Sequence, residues 1–268
     1  MKINKMNFAF IFSLVIIFYL IIVMFIYFYQ RKLLYHPSEN NYLDQTNLNH
    51  VIERVSIKSD NDLVGWHYEN NRKYKTILFF HGNAGKLDNR IYKLNEFSKL
   101  QVNYLIFAYR GFSGNEGKPT EKGLYTDSVS AKAWLNSIGV EDKNIVLYGE
   151  SLGTAIAIDL ASKNNFSGII LESPFTSMET LAKKYYPYLP VKILLKDKYD
   201  SINKLEKVNS PILIMHGKND TIVPFDMGNE MFLKSKNPKY SYFNDDDHMM
   251  DFNSELIKNL ELFLKSLN

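Results

Sequence analysis

The chain has 268 residues and a formal net charge of +3, a length that suits one α/β domain with an appendage and allows a sizeable buried core. Basic and acidic residues are interspersed along it, which excludes the one-sided charge of a nucleic-acid-binding surface. The absence of cysteine excludes a thiol nucleophile, a disulfide framework and a thiolate metal site.

The N-terminus carries a long apolar segment. From Phe8 to Tyr29 the chain has no charged residue and is rich in Ile, Phe, Leu and Val. About 22 residues in a helix span roughly 33 Å, enough to cross the hydrocarbon core of a bilayer. Aromatic residues crowd the far end, and Arg31 and Lys32 follow, as at a membrane interface. The pattern predicts an uncleaved transmembrane anchor over residues 1–32, with a cleaved signal peptide or a buried core helix as alternatives.

The charges that flank this segment are nearly balanced between its two sides. Lys2, Lys5 and the amino terminus stand on one side, and Arg31 and Lys32 stand on the other. The side richer in Lys and Arg tends to stay in the cytoplasm. We therefore expect a single-pass membrane protein with the N-terminus inside and residues 33–268 on the extracytoplasmic side.

Residues 33–268 are predicted to form an α/β-hydrolase domain. Residues 33–50 are interpreted as a juxtamembrane linker that packs loosely, and an antiparallel hairpin at a sheet edge follows. Apolar runs typical of buried strands then alternate with helix-like segments, which predicts a mostly parallel central sheet with helices on both faces and ligand sites at the carboxyl ends of the strands. The predicted strands are Val51–Lys58, Leu63–Tyr68, Thr76–Phe80, Tyr104–Ala108, Ile145–Tyr148, Gly168–Leu171, Pro211–Met215 and Tyr240–Phe243, and the predicted helices are Leu87–Leu100, Thr120–Ser137, Thr154–Ala161 and Glu255–Ser266.

The pentapeptide Gly149-Glu150-Ser151-Leu152-Gly153 lies between a predicted strand and a predicted helix. A G-x-S-x-G in that context is a nucleophile elbow, a sharp turn that holds the serine in a strained backbone conformation with its hydroxyl exposed. Gly149 and Gly153 supply the small residues that such a turn needs. Ser151 is therefore the candidate nucleophile, and a glycine-rich turn between two core elements is the alternative.

A serine nucleophile needs a base to take its proton and a carboxylate to orient that base, in the chain order serine, acid, histidine. Asp220, in the loop after a buried strand, is the candidate acid, and turn formation is its alternative role. His248, in the last strand-to-helix loop, is the candidate base. We interpret Asp245–Asp247 as a solvated turn rather than a rival acid or a metal site. The remaining histidines, His36, His50, His67, His81 and His216, fit the required chain order less well. Two of them, His81 and His216, directly precede a glycine and are interpreted as residues that set the backbone shape of their loops.

The negative charge that develops on a substrate oxygen calls for two backbone N–H donors. The candidates for this oxyanion hole are Leu152, directly after the nucleophile, and Asn83, in the loop after the strand Thr76–Phe80. Gly82 and Gly85 let the Asn83 loop approach a substrate closely, and an ordinary tight turn is the alternative. No cofactor and no metal is expected, and the glycine-rich stretch further along lacks the spacing and the lysine of a nucleotide-binding loop.

Five motifs carry a family resemblance: His81-Gly82-Asn83-Ala84-Gly85, Tyr109–Glu121, Gly149–Gly153, Ser173-Pro174-Phe175 and His216–Pro224. Together they resemble the Bem46-like branch of the α/β-hydrolase superfamily, which includes ABHD13-like hydrolases and many bacterial membrane-anchored homologues. The resemblance runs from about Leu33 to the C-terminus, and the anchor fits it. It implies a serine hydrolase with Ser151, Asp220 and His248 as its triad and implies no substrate. The chain departs from the pattern at Asp247, where relatives usually have glycine before the histidine.

Residues 176–204 occupy the place where this fold inserts a lid. Within them, Tyr185–Leu195 is aromatic and apolar. Such a stretch suits either a short cap over the site or a helix that packs on the domain. An aromatic cap on a membrane-tethered enzyme suits acyl chains that enter from lipid.

These features predict the hydrolysis of an acyl ester or thioester through an acyl-enzyme intermediate. The expected partners are a small-molecule or lipid-like acyl substrate and the membrane, through residues 8–29. A serine peptidase or amidase uses the same machinery and is the first alternative. A non-catalytic binding protein on this fold is the second, and it predicts decay of a triad whose three residues are all present. A dehalogenase or an epoxide hydrolase would have aspartate where this chain has Ser151.

Overall fold

The computed structural model describes residues 5–38, 47–236 and 238–267, with side chains from residue 8 onward. The predicted linker over residues 33–50 therefore lies partly outside the described residues. Lys2, whose charge was used to predict the orientation of the anchor, lies outside the described residues. The start of the predicted anchor lies outside them as well.

The described residues form an eight-stranded sheet. The strands are β1 Glu53–Ile57, β2 Leu63–Tyr68, β3 Lys75–Phe80, β4 Val102–Phe107, β5 Ile145–Glu150, β6 Gly168–Glu172, β7 Ile212–Gly217 and β8 Lys239–Asn244. Their order in the sheet is β8-β7-β6-β5-β3-β4-β2-β1. The β1–β2 and β2–β4 pairs are antiparallel, and every other pair in this sheet is parallel. The predicted edge hairpin and mostly parallel sheet are confirmed.

Burial along the strands explains their sequences. All residues of β4, β5, β6 and β7 are buried, and strands covered on both faces read as continuous apolar runs. In β1, at the edge, Val55 and Ile57 are buried while their neighbours are exposed, which gives the alternating pattern of a half-covered strand.

Helices precede, connect and follow the strands. In the part of the chain that the structure describes they are α1 Lys5–Leu34, α2 Ile91–Phe97, α3 Glu121–Ser137, α4 Leu152–Ala161, α5 Met178–Tyr185, α6 Val191–Leu194, α7 Ser201–Leu205, α8 Phe225–Lys234 and α9 Ser254–Ser266. Every residue of α4 is buried, which accounts for its almost wholly apolar composition. Sequence analysis did not predict α8.

The helix predicted over Leu87–Leu100 is wrong in its extent. The structure has a 3-10 turn over Leu87–Arg90, followed by α2, which ends at Phe97. Arg90 joins the two with φ −105° and ψ 2°, outside the helical region. Its buried guanidinium donates to Glu150 and to the carbonyl of Ala84, and these contacts hold the backbone at the break.

The N-terminal helix α1 is long and apolar enough to cross a membrane, over Phe8–Leu34, and therefore extends further than the predicted span. A signal sequence near the N-terminus of a chain meets the same criteria of length and composition. Most side chains of the helix are exposed. The half-buried ones lie at helical spacing, on one stripe: Ile22, Val23, Ile26, Gln30 and Leu34.

The stripe on α1 faces residues 176–204, called here the cap segment, which carry α5, α6 and α7 between β6 and β7. Gln30 Nε2 donates to the Leu194 carbonyl at 3.0 Å. Arg31 donates to both carboxylate oxygens of Asp197 at 2.7 and 3.0 Å. The cap segment thus packs directly on the end of the helix that is the candidate membrane span.

The carboxyl ends of the central strands are level with one another. Phe80 pairs with Gly149 across β3 and β5, and Glu150 pairs with Glu172 across β5 and β6. The loops that follow these strands therefore open at one edge of the sheet, where ligand sites of such sheets lie.

Candidate active site

Ser151 lies on the turn from β5 into α4 with φ 51° and ψ −114°, a conformation that costs a non-glycine residue about 1–3 kcal/mol. Its N–H donates to the Glu172 carbonyl at 2.8 Å, which ties the turn to β6. A Cβ at Gly149 would lie 2.6 Å from the Gly153 carbonyl oxygen, and a Cβ at Gly153 would overlap the carbonyl of Phe80. The turn therefore needs glycine at both places.

The structure brings Ser151, His248 and Asp220 into one line of contacts. His248 Nε2 lies 3.0 Å from Ser151 Oγ, and His248 Nδ1 lies 2.8 Å from Asp220 Oδ2. The second oxygen of Asp220 accepts from the N–H groups of Ile222 and Val223 at 2.9 and 2.7 Å. The loop after β7 thus fixes the carboxylate, which is buried, while the imidazole is 11 % exposed.

Asp220 has a second histidine partner, which sequence analysis assigned only to the backbone. His216 Nε2 lies 3.2 Å from Asp220 Oδ2 and 2.9 Å from the Val223 carbonyl. Burial raises the pKa of Asp220, but hydrogen bonds from His216 and His248 outweigh it and hold the pKa well below the usual carboxyl range. The carboxylate is therefore ionised at neutral pH.

Asp247, the departure from the family pattern, links the loops of the candidate acid and base. Its Oδ1 accepts from the N–H groups of Thr221 and His248 at 2.9 and 2.7 Å, and these bonds lower its pKa. The carboxylate that bonds to the imidazole ring is that of Asp220. The interpretation of Asp245–Asp247 as a turn is thus consistent with the structure.

The loop of the candidate oxyanion residue Asn83 is held by the chain that follows α1. The Asn83 carbonyl accepts from the N–H of His36 at 2.9 Å, and its side-chain amide donates to the Leu34 carbonyl at 2.8 Å. Residues 36–37 and 84–85 form a two-stranded parallel ladder. The prediction of a loosely packed linker is therefore wrong for residues 34–38, since this strap, with Tyr35 buried, pairs with the loop.

The other candidate oxyanion residue, Leu152, is the first residue of α4. The N–H groups of the first helical turn have no acceptor within their helix, and the helix dipole adds partial positive charge there. The Leu152 N–H is thus a donor beside Ser151.

A buried cluster of four charged side chains lies behind Ser151, and sequence analysis missed it. Glu150 accepts from Arg90 at 2.5 Å and from Lys93 at 2.6 Å, and Lys93 also donates to Glu172 at 2.6 Å. Glu150 Oε1 in addition accepts from the N–H of Gly82 at 3.2 Å. The cluster thus connects the elbow, the oxyanion loop and the end of β6.

The charges of this cluster balance, two positive and two negative. Burial raises the pKa of Glu150, but Arg90 and Lys93 lower it further than burial raises it. Burial lowers the pKa of Lys93, and Glu150 and Glu172 more than compensate. Glu150 and Lys93 are therefore ionised, as buried charges are when each has a partner. The sequence carried one signal for this cluster, which is the presence of charged residues at the ends of otherwise apolar segments. They occur in β5, in β6 and in the Arg90–Lys93 turn.

His81 is buried under the aromatic rings of Tyr109 and Phe112, 4.1 and 5.1 Å away between ring centres. Burial, with the nearby charge of Arg90, lowers its pKa to about 3. Its Nδ1 lies 2.8 Å from the Gly82 carbonyl, and the N–H of Tyr109 donates to Nε2. A neutral imidazole with these bonds shapes the loop, as expected from the sequence.

No group of three or more His, Cys, Asp or Glu side chains arranged to hold a metal ion occurs within residues 5–38, 47–236 and 238–267.

The sheet order, with a serine on the turn after β5, an aspartate after β7 and a histidine after β8, defines the class of protein as an α/β-hydrolase. A family model described as "Prolyl oligopeptidase family" matches residues 117–266. An uncharacterized protein of Mycobacterium tuberculosis is 33% identical over 223 residues, which cover 81% of this chain and 79% of that protein. This chain belongs to the Bem46-like family of α/β-hydrolases.

Two further likenesses agree with that family. Human alpha/beta hydrolase domain-containing protein 17B is 35% identical over 178 residues, which cover 63% of this chain and 57% of the human protein. An esterase of Pyrococcus furiosus of known structure has a TM-score of 0.71 at 20% identity and covers 87% of this chain and 100% of its own. The latter likeness shows the fold, and the family gives the chain a hydrolase function.

Proposed function

We propose that this chain is a membrane-anchored serine hydrolase that cleaves an acyl ester or thioester through Ser151, His248 and Asp220. One observation carries the proposal. Contacts of 2.8 and 3.0 Å run from the Asp220 carboxylate through the imidazole to the serine hydroxyl, and that serine lies on a strained turn at the carboxyl end of a parallel strand.

The chemistry follows from those contacts. As Ser151 Oγ bonds to the acyl carbon, His248 Nε2 takes its proton, and the Asp220 carboxylate stabilises the resulting imidazolium through Nδ1–H. The tetrahedral intermediate then breaks its bond to the alcohol or thiol, which leaves with the proton from Nε2. Water attacks the acyl-enzyme, gives its proton to Nε2, and releases a carboxylic acid as Oγ takes the proton back.

The N–H groups of Leu152 and Asn83 are proposed to stabilise the oxyanion of both tetrahedral intermediates. The first N–H begins α4, whose dipole favours negative charge at that end. The second belongs to Asn83, a residue whose own carbonyl and side chain the strap already holds. Donors that are fixed before the reaction need no reorganisation when charge develops, and each contributes about 10²–10³-fold in rate.

Residues 1–32 are proposed to anchor residues 33–268, the hydrolase domain, on the extracytoplasmic side of a membrane, with the cap segment as the lid. The length of α1 supports this arrangement. So do the aromatic rings near its end, where Phe25 stacks on Tyr29 with 4.5 Å between ring centres, because aromatic residues favour membrane interfaces.

A serine peptidase is the second candidate, and one observation favours it: the prolyl oligopeptidase family model covers residues 117–266. The same serine, histidine and aspartate serve amide hydrolysis, in which Nε2 gives its proton to a leaving amine. The two functions thus differ in the leaving group and not in the catalytic residues.

The test is a substrate panel with the purified full-length protein in detergent. It contains p-nitrophenyl acyl esters, acyl thioesters and aminoacyl p-nitroanilides, each with the wild type and Ser151→Ala. We expect ester and thioester hydrolysis that falls at least about 10³-fold in Ser151→Ala. Faster cleavage of anilides than of esters would favour the peptidase. Ester hydrolysis that survives in Ser151→Ala would overturn the proposal.

A further inference from the structure

An apolar cavity of about 180 Å³ lies between α1 and the cap segment. Its lining includes none of the triad residues. Most of its walls are aliphatic, with Ile26, Leu33 and Leu34 on α1 and Met178, Ala182 and Leu194 on the cap segment.

The charged and amide side chains in the cavity wall already have partners within the protein. Arg31 makes its two-bond pair with Asp197. The Gln30 amide donates to the Leu194 carbonyl and accepts from the N–H of Lys196 at 2.8 Å. A polar ligand would lose hydrogen bonds to water and would find these three side chains already bonded. The cavity therefore suits an apolar ligand.

Two helices that line the cavity are hydrogen-bonded to loops of the candidate active site. Leu34 lines the cavity, and its carbonyl accepts from the side chain of Asn83 in the oxyanion loop. On the other side, Ala182 of α5 lines the cavity, and Tyr185 of the same helix donates to the Thr221 carbonyl at 2.7 Å. Thr221 directly follows Asp220. The cavity thus lies between α1 and α5, and both helices also contact loops of the candidate active site.

We propose that this cavity is the acyl-chain subsite of the enzyme, which takes the alkyl chain of the substrate while its carbonyl lies at Ser151. The inference rests on the proposed acyl hydrolysis. An aliphatic cavity of about 150 Å³ stays dry and binds apolar molecules, and this one is of similar size. Its place at the end of the candidate membrane span gives an alkyl chain a route from the bilayer that never exposes the chain to water.

The subsite predicts that filling the cavity changes the preference for chain length. Ala182→Trp places a large ring in the cavity from the α5 wall. We expect kcat/KM for p-nitrophenyl esters of 12 to 16 carbons to fall at least about tenfold, while acetyl and butyryl esters change by less than about twofold, because short chains do not need the subsite. Ala182→Leu, a smaller change that the fold tolerates more easily, should give the same selective loss at a lower magnitude.

Ile193→Trp is the matched control, since Ile193 lies on the same cap segment but is 83% exposed and does not line the cavity. Its chain-length profile should match the wild type. Equal losses for short and long esters in the Ala182 variants would mean a general defect and contradict the subsite. An unchanged profile would contradict it as well, and would leave the cavity to a membrane-lipid tail that is not a substrate.

A binding measurement separates the subsite from the proposed chemistry. A diazirine-bearing palmitic acid is photo-crosslinked to full-length Ser151→Ala in detergent, and the labelled peptides are mapped by mass spectrometry. The subsite predicts labels within residues 26–34 and 178–195 that disappear in the double variant with Ala182→Trp. Such labels together with an inactive wild type would refute the proposed function alone, and labels elsewhere with an active wild type would refute the subsite alone.

Discussion

Asp220, Glu150 and Glu172 are buried carboxylates at or just beyond the carboxyl ends of strands, and their partners give them different consequences. Asp220 bonds to the imidazole that contacts Ser151. Glu150 accepts from the Gly82 N–H in the loop of the candidate oxyanion residue, whereas Glu172 accepts from Lys93. A buried carboxylate therefore bonds to the candidate base, to the loop of the candidate oxyanion residue, or to the buried charged cluster, according to its place in the fold.

Glu150→Leu and Glu172→Leu form a matched pair, because each replaces one carboxylate of the same buried cluster with an apolar side chain. Both should lower the free energy of unfolding by about 3–5 kcal/mol, the usual result of leaving a buried charge without its partner. Only Glu150→Leu should also lower kcat, by about tenfold or more with little change in KM, since the Gly82 N–H donates to Glu150 and leucine offers it no acceptor. Thermal unfolding and steady-state kinetics measure both effects. Equal effects on kcat in the two variants would contradict a role for Glu150 beyond stability.

The pH dependence of folding follows from the lowered pKa of Asp220. In the folded protein the carboxylate stays ionised at a pH where the unfolded chain has taken up a proton, so the unfolded state binds more protons and stability rises with pH. This contribution is full above about pH 4 and is lost as the pH falls below that value toward the folded pKa. Denaturant unfolding at several pH values should show a weaker acid loss in Asp220→Asn than in the wild type. An identical loss in both would contradict the lowered pKa.

The turn from β5 to α4 depends on close contacts between elements. A Cβ at Gly153 would overlap backbone atoms of Phe80 and His81, whereas a Cβ at Gly139 would meet nothing within 4 Å. Backbone cannot give way as the end of a flexible side chain does. The start of α4 and the end of β3 therefore pack at a distance that only glycine permits.

Gly153→Ala should destabilise the protein by about 3 kcal/mol or more, the upper range for overpacking. Gly139→Ala is the control. It should cost only about 1 kcal/mol, because its φ of 92° strains an L residue but its surroundings are open. Chemical denaturation compares the two free energies of unfolding. A cost for Gly153→Ala no larger than for the control would contradict the close contact at the elbow.

Elements with a clear sequence pattern could be predicted from the sequence. The buried strands are apolar runs, and the G-x-S-x-G stands between one of them and α4, so the order of Ser151, Asp220 and His248 could be assigned. The contacts of Lys93 could not be predicted, since its partners lie 57 and 79 residues away along the chain. The strap at residues 34–38 was also missed, because a two-residue ladder is too short to show a period.

The N-terminal helix α1 is hydrogen-bonded to the cap segment. Tyr19 donates to the Tyr188 carbonyl at 2.8 Å, and Tyr35 and Tyr199 share a hydrogen bond of 2.7 Å. With the Arg31–Asp197 pair, these contacts extend from the middle of the helix to the strap. These contacts favour the proposed uncleaved anchor, because a cleaved signal sequence would not remain to make them.

An uncleaved anchor predicts that the mature protein keeps its N-terminus and stays in the membrane. In a bacterial host that expresses the full chain, the intact mass should include α1, and alkaline carbonate should not extract the protein. Protease added outside spheroplasts should degrade the hydrolase domain, as the proposed orientation requires. A soluble product that begins after Tyr29 would contradict the anchor, and protection from protease would reverse the orientation.

Covalent labelling can test whether Ser151 is an activated nucleophile, on which the proposed function depends. A fluorophosphonate probe is added to membranes that contain the wild type or Ser151→Ala, and the modified peptide is identified by mass spectrometry. We expect one label, on Ser151 of the wild type, and none on the variant. A folded wild type that resists the probe, or a label that persists in Ser151→Ala, would contradict it.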